Sequence, residues 1–162
     1  LILSSGAATR NTIYGKAKSL CEHLADNHKI ARIFSVIGPE MPLKSQFSAG
    51  KFVYQAMNGK IEYYGGNSTR TYLDISDCAT WLLKILDQGT NLYPYDVAGD
   101  KQIRIEDLAK LIGKVFDVPV TKIDGPDRID TYCPNLDAAH GLGLLQTMTL
   151  EQSIEKIKCS LS

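Results

Sequence analysis

The segment Tyr14-Gly15-Lys16-Ala17-Lys18 carries the residues best suited to proton transfer. Residues four positions apart lie on one face of a helix, so a helix here would hold Tyr14 beside Lys18. An ammonium group near a phenol favours the phenolate form, which makes Tyr14 a candidate general acid and base. By itself this spacing more often reflects a surface lysine whose stem lies along a half-buried tyrosine ring. The surrounding sequence must therefore decide between the two interpretations.

The elements around this segment predict a parallel α/β unit. Residues 1–3 are an apolar run that ends at Ser4-Ser5-Gly6, which is typical of a buried strand entering a loop. We predict a helix over 13–25, with Leu20 and Leu24 on its apolar face, and a second buried strand over 29–37. A strand, a helix and a strand in this order indicate a parallel sheet.

The rest of the chain continues to alternate between helices and strands. Asp77 is expected to cap the helix that carries Trp81, and Thr149 with Gln152 matches a capping box. The predicted helices are 47–57, the one that follows Asp77, 105–116 and one from Thr149, and the predicted strands are 61–64, 70–75 and 95–98.

Composition restricts the classes of function. The chain has 162 residues, of which 44% are hydrophobic, enough for a compact core. Its 18 basic and 18 acidic residues balance, which argues against a nucleic-acid or membrane-surface partner held by bulk charge. The four cysteines lack zinc-ligand spacing, so no metal is expected, and free thiols favour a cytoplasmic location. A chain that begins at Leu1, inside a strand, is expected to be incomplete.

The motifs together resemble the extended short-chain dehydrogenase/reductase family, in its branch of NAD-dependent nucleotide-sugar epimerases and dehydratases. Serine, tyrosine and lysine follow one another as Ser5, Tyr14 and Lys18. No glycine-rich dinucleotide-binding turn is present, so the resemblance places that N-terminal half outside this sequence. The later segments that resemble the family are 31–39, 69–77, 95–99, 126–128, 134–135 and 142–144.

This resemblance implies the later half of a Rossmann-type parallel sheet joined to a small mixed α+β substrate-binding domain. Residues 1–38 would belong to the dinucleotide-binding domain and carry the catalytic residues. Residues 39–69 would bind substrate, 70–99 would return to the sheet, and 100–162 would complete the substrate domain.

The resemblance also implies roles for individual residues. Tyr14 would be the acid/base, Lys18 would contact the nicotinamide ribose and assist Tyr14, and Ser5 would bind the reacting sugar oxygen. Ser4 would join Tyr14 and Lys18 at the cofactor. Arg70 and Arg128 would hold the diphosphate, since arginine makes bidentate, permanently charged contacts. The full expected set of substrate-binding residues is Ser35, Phe47, Lys51, Arg70 and Arg128.

The implied activity is hydride transfer between a nucleotide-diphosphate sugar and NAD, with NADP also open, in a homodimer. The segment from Ile33 to Trp81 looks most similar to members that make surface-polysaccharide sugars of the O-antigen type. Two alternatives stay open at this point. One is a non-enzymatic dinucleotide-binding sensor or scaffold on the same fold, and the other is an inactive fragment.

Overall fold

The computed structural model describes residues 1–25, 27–44, 46–91, 93–127 and 129–161. A 3₁₀-helix, Gly6–Thr9, follows the first strand. The α-helices are α1 Ile13–His23, α2 Ser48–Met57, α3 Ile75–Gln88, α4 Ile105–Phe116, α5 Asp137–Gly141 and α6 Leu150–Ser160. The strands are β1 Ile2–Ser5, β2 Ile30–Ile33, β3 Val36–Ile37, β4 Ile61–Tyr63, β5 Thr69–Thr71, β6 Leu73–Asp74, β7 Tyr95–Val97, β8 Gln102–Arg104, β9 Val120–Lys122 and β10 Thr131–Tyr132.

Parallel pairing dominates the sheets, as the order of elements predicts. The central sheet has the order β1-β2-β7 and is parallel throughout. Two further parallel pairs join β3 to β6 and β4 to β9. In the fourth sheet β5 pairs with β8 antiparallel and with β10 parallel. Parallel neighbours need crossover connections, and α1 supplies the one between β1 and β2. The predicted α/β class is confirmed.

Two predicted strands are each divided in the structure. The single strand expected over 29–37 is wrong, because Phe34 and Ser35 separate β2 from β3. There the chain changes partners: the Phe34 N–H donates to the Val97 carbonyl in the central sheet, and the Ser35 carbonyl accepts from the N–H of Leu73 in β6. The strand expected over 70–75 is likewise divided at Tyr72 into β5 and β6.

Two apolar cores hold these layers together. In the first, α2, α4 and α6 pack around residues such as Phe52, Leu108 and Ile154. In the second, α3 packs against β2 and β7, and Trp81 is 2% exposed, as its predicted core position requires. The division into four segments at 38, 69 and 99 stays a prediction. Among the described residues no helix is both long and apolar enough to cross a membrane.

The cap of α3 differs from the one expected. Asp74 is the N-cap residue, and its carboxylate accepts from the Ser76 N–H at 2.8 Å. Asp77 lies within the first helical turn and accepts hydrogen bonds from the backbone of Thr147 and Met148. It therefore anchors the segment before α6 instead of capping α3. The capping box that Thr149 forms with Gln152 at the start of α6 is confirmed.

The predicted apolar face of α1 is also wrong. Leu20 is 60% exposed and Leu24 is 76% exposed, so neither packs on the central sheet. The buried side of α1 instead carries Gly15 and the largely buried side chain of Glu22, which is paired with Arg32 of β2. An ion pair and a glycine contact, in place of leucines, thus seat this helix on the sheet.

Candidate active site

Tyr14 and Lys18 share one face of α1, as their spacing predicts. The helix begins after Thr12, whose hydroxyl accepts from the Gly15 N–H at 3.0 Å. The Lys18 ammonium nitrogen lies 5.9 Å from the centroid of the Tyr14 ring. Tyr14 is 57% exposed, so its ring is open to a ligand.

Gly15 allows this helix to approach the loop that leads into it. A Cβ atom at this position would lie 2.3 Å from the carbonyl oxygens of both Ala7 and Arg10. Real Cβ atoms do not approach that closely, so only glycine permits the contact. The glycine between Tyr14 and Lys16 thus fixes the distance between α1 and the 3₁₀-helix.

Ser5 ends β1 and begins the 3₁₀-helix, where its hydroxyl accepts from the Ala7 N–H at 3.2 Å. The carboxyl ends of parallel strands form the edge at which α/β proteins bind ligands. The Ser5 side chain also lies next to the phenol of Tyr132 in β10. Ser5 and Tyr132, which are distant in the sequence, are therefore neighbours in the fold.

Tyr132 is surrounded by aromatic and cationic groups. Its ring centroid lies 4.8 Å from that of Phe34. The guanidinium carbons of Arg10 and Arg70 lie 5.2 Å and 5.7 Å from the same ring, within cation–π range. Burial raises the pKa of the Tyr132 phenol, and the hydrogen bond with Ser5 opposes that rise. The phenol is therefore neutral near pH 7 and available as a hydrogen-bond partner.

Arg70, predicted to bind the diphosphate, is bonded to Asp130 in this structure. Its Nη2 donates to the Asp130 carboxylate at 2.9 Å, and its Nη1 donates to the carbonyl oxygens of Thr69 and Asp130. Arg10 donates hydrogen bonds to the same carboxylate from both of its terminal nitrogens. The hydrogen bond from Arg10 is the largest cause of a lowered pKa at Asp130.

A chain of charged groups lies beneath Ser4. Ser4, 6% exposed, donates its hydroxyl to Glu22, and Arg32 forms a two-point ion pair with Glu22, its Nη2 lying 2.6 Å from Oε2. Burial acts to raise the pKa of Glu22, but hydrogen bonds from Arg32 and Ser4 outweigh it and the pKa is lowered. Burial raises the pKa of Asp96, which faces Arg32 in the neighbouring strand. In this structure the Ser4 hydroxyl is thus engaged under α1.

The other predicted substrate residues lie in separate places. Ser35 joins the two sheets through its backbone, with its carbonyl accepting from Leu73 at 3.0 Å. Phe47 precedes α2 and is 67% exposed, and the Lys51 ammonium lies 5.4 Å from the Tyr64 ring centroid. Arg128 falls outside the described residues. The roles assigned to all of these residues stay predictions.

The sequence motifs did not predict three residues of the site, namely Arg10, Asp130 and Tyr132. Arg10 stands between Ser5 and Tyr14, and that position was its only signal. Asp130 and Tyr132 follow the family-like segment 126–128 closely, so their neighbourhood was the available clue. Among the residues described, no group of three or more histidine, cysteine, aspartate or glutamate side chains is arranged to hold a metal ion.

Comparison with solved structures identifies the fold. The UDP-glucose 4-epimerase of Thermotoga maritima, solved with UDP-glucose, superposes with a TM-score of 0.82 at 16% identity, over 98% of this chain and 62% of the epimerase. The dTDP-glucose 4,6-dehydratase of Bacillus anthracis, solved with NAD, gives a TM-score of 0.82 at 17% identity, over 98% of this chain and 60% of the dehydratase. The chain has the fold of the nucleotide-sugar epimerases and dehydratases.

Sequence comparison agrees with this result. UDP-glucuronic acid decarboxylase 4 of Arabidopsis thaliana is 30% identical over 98 residues, which cover 59% of this chain. The match spans 22% of that relative's length. No protein-family model matches the chain. The resemblance to nucleotide-sugar enzymes inferred from the sequence motifs is confirmed.

Proposed function

We propose that this chain is the later part of an NAD(P)-dependent enzyme that epimerises or dehydrates a nucleotide-diphosphate sugar. One observation supports the proposal: α1 holds Tyr14 beside Lys18 and packs against the 3₁₀-helix that Ser5 caps at the carboxyl end of β1. The order of these three residues, and the four-residue step from Tyr14 to Lys18, match the family that the sequence resembles. A dinucleotide sensor needs none of them, which favours the enzyme.

The residues present fit the nicotinamide end of NAD. Tyr14 and Lys18 form an open pair beside the carboxyl edge of a parallel sheet, where this class of fold binds its ligands. Lys18 offers an ammonium donor for a ribose hydroxyl. When bound, NAD supplies a hydride acceptor next to the sugar carbon. The pyrophosphate cradle would come from a glycine-rich segment outside this sequence.

The chain's own residues would move the proton. Tyr14 takes the proton from the sugar hydroxyl whose carbon is oxidised, with the Lys18 ammonium group beside its ring. The Ser5 hydroxyl hydrogen-bonds the same sugar oxygen as it becomes a carbonyl. Tyr132 lies next to Ser5 and would position its hydroxyl. Arg70 and Arg128 would hold the diphosphate, assisted by Ser35, Phe47 and Lys51.

The biological setting follows from the resemblance. We place the reaction in the synthesis of surface-polysaccharide sugars, in the cytoplasm. Cys21, Cys78, Cys133 and Cys159 are all free thiols in the structure, which is compatible with a reducing compartment.

We also propose that the enzyme is a homodimer that pairs through α1. Ile13, Leu20 and Leu24 are 92%, 60% and 76% exposed, and with Ala17 and Cys21 they form one stripe at helical spacing. An exposed apolar stripe of this kind is typical of a protein–protein contact surface. The same stripe on α1 of a second copy has equal length and the same apolar side chains, so the two could bury each other.

The test of the proposed function is turnover by the complete protein. Each of the UDP, CDP, dTDP and GDP sugars is incubated with NAD or NADP, and products are separated by chromatography. We expect one nucleotide sugar to give a 4-epimer or a deoxy-keto sugar. Binding of dinucleotide without conversion of any sugar would instead support the sensor.

A further inference from the structure

Two arginines from distant parts of the chain share one carboxylate beside the candidate active site. Arg10 lies between Ser5 and Tyr14, whereas Arg70 lies in β5. Arg10 donates to the Asp130 carboxylate through both terminal nitrogens, and Arg70 donates to it at 2.9 Å. Two planar, permanently charged groups thus converge on the position of one oxyanion.

The charges at this position do not cancel. Two guanidinium groups face a single carboxylate, which leaves one positive charge in excess. The side chains of Arg10, Asp130 and Arg70 are 38%, 31% and 23% exposed, so a ligand in solution can reach them. An anion more highly charged than a carboxylate, or better placed, would bind both arginines at least as well as Asp130 does.

The position also adjoins the reactive end of the site. The guanidinium carbons of Arg10 and Arg70 lie 5.2 Å and 5.7 Å from the centroid of the Tyr132 ring. The hydroxyl of that ring lies next to Ser5. One aromatic ring therefore separates the shared carboxylate from the serine expected to hold the reacting sugar oxygen.

We propose that Arg10 and Arg70 bind an anionic group of the substrate at the position that the Asp130 carboxylate occupies, and that substrate binding displaces Asp130. This inference rests on the proposed function and adds Arg10 to the substrate-binding residues. The ligand chemistry is an oxyanion. Its source is either the diphosphate, common to all nucleotide sugars, or the carboxylate of an acidic sugar.

If the substrate displaces Asp130, replacing Asp130 should change ligand affinity in the opposite direction from that expected if Asp130 only positions the arginines. If Asp130 competes with the ligand, Asp130→Asn removes the competing charge while keeping the shape of the side chain. The affinity for the anion should then increase. If Asp130 only holds the arginines in place, the same substitution should leave the affinity unchanged or reduce it.

The experiment is isothermal titration of the complete protein with a matched series of ligands. The nucleoside diphosphate that binds best among UDP, CDP, dTDP and GDP is used alone, as its glucose conjugate and as its glucuronate conjugate. We expect Arg10→Gln to weaken binding about tenfold, the value of one lost charged hydrogen-bond contact. Asp130→Asn should tighten binding about twofold to fivefold, since the competing ion pairs are partly exposed.

Arg104→Gln is the control. Arg104 also pairs with a carboxylate, that of Asp107, but Ile103, not Arg104, stands opposite Arg70 in the β5–β8 pair. Successive side chains alternate across a sheet, so Arg104 lies on the other face. Its replacement should leave all three affinities unchanged. Thermal melts of each variant confirm that the protein is folded.

The pattern of losses identifies the source of the oxyanion. If Arg10→Gln weakens all three ligands by the same factor, the diphosphate is bound there. If it weakens the glucuronate conjugate alone, the sugar carboxylate is bound there. Unchanged binding of all three ligands to a folded Arg10→Gln protein overturns the inference but leaves the proposed function intact. If the wild-type protein binds none of the three ligands, both the inference and the proposed function are wrong.

Discussion

The Ser5 hydroxyl lies next to the Tyr132 phenol, although the two residues are distant in the sequence. Ser5 ends β1, and Tyr132 lies in β10, which is attached to a different sheet. Tyr132, from the segment expected to bind substrate, is thereby placed to position Ser5, which is expected to contact the reacting sugar oxygen. Tyr132 is a positioning residue in this arrangement, since it acts through Ser5.

Tyr132→Phe should lower kcat about threefold to tenfold and leave KM close to its wild-type value. The variant keeps the ring against Phe34 and loses only the hydroxyl next to Ser5, whose interaction is expected to contribute about 1 kcal/mol. Burial raises the pKa of this phenol, so the loss should be constant between about pH 6 and 9. Steady-state kinetics across that range checks the prediction. A KM that rises while kcat stays constant would instead place Tyr132 in ground-state substrate binding.

Tyr14→Phe should nearly abolish turnover and leave dinucleotide binding almost intact. The phenol provides the path for the proton, and its loss should cost about a hundred- to ten-thousand-fold in kcat. Lys18→Ala should reduce both turnover and dinucleotide binding, because Lys18 is expected to contact the ribose as well. Product chromatography and fluorescence titration with NADH separate the two effects. Wild-type turnover in Tyr14→Phe would show that another residue is the acid/base.

Gly15→Ala should destabilise the protein and reduce activity together. The added Cβ would lie 2.3 Å from two backbone carbonyl oxygens, which cannot move as easily as a side chain. We expect a loss of about 1 to 3 kcal/mol in the free energy of unfolding, typical of overpacking. Gly141→Ala is the control, since a Cβ there has no atom within 4 Å. Equal stability of the two variants would contradict the close approach of α1 to the 3₁₀-helix.

Glu22→Gln should lower the free energy of unfolding at pH 7 by about 3 kcal/mol, as expected when one partner of a sequestered ion pair is removed. The folded-state pKa of Glu22 is lowered, so its contribution is present above the unfolded value of about 4.3 and is lost as the pH falls through the folded value. The difference between variant and wild type should therefore shrink on acidification. Urea unfolding at several pH values measures it.

The matched control for Glu22 is Glu62→Gln. Glu62 also pairs with a cation, but Lys60 and Glu62 are 65% and 39% exposed in their side chains. Exposed pairs contribute about 0 to 1 kcal/mol, so little change is expected. A Glu22 effect as small as that of Glu62, or one that grows in acid, would be incompatible with the pairing to Arg32.

Leu20→Glu should convert the proposed dimer into a monomer. A carboxylate in the middle of the α1 stripe would be buried without a partner if two copies of the helix pack together. Light scattering after size-exclusion chromatography gives the mass of each species. Leu83→Glu, at an exposed position of α3, is the control and should not change the mass. A wild type that is monomeric would show that another segment covers the stripe.

The sequence by itself determined the local geometry of the site. The shared face of Tyr14 and Lys18 follows from the helical repeat, which depends on neighbouring residues only. For the same reason α4 occupies the predicted residues Ile105–Phe116, and Thr149 caps α6 as expected. The alternation of helices and strands was sufficient to predict a parallel α/β fold.

Only the tertiary structure decided which distant segments meet. The break at Phe34 and Ser35 arises because β2 pairs with β7 in the central sheet, whereas β3 pairs with β6 in another. The residues on both sides of the break are of β-forming types, so composition does not reveal it. The sequence pattern predicted that Leu20 and Leu24 face the core. In the structure, the sheet beneath α1 carries Arg32, and the α1 residue that packs there is Glu22, which forms an ion pair with it. The contacts of Arg10 and Tyr132 depend on where β10 docks beside β5, and no spacing within the chain encodes that position. Helical periodicity is a property of adjacent residues, whereas such docking is settled by the packing of the whole chain.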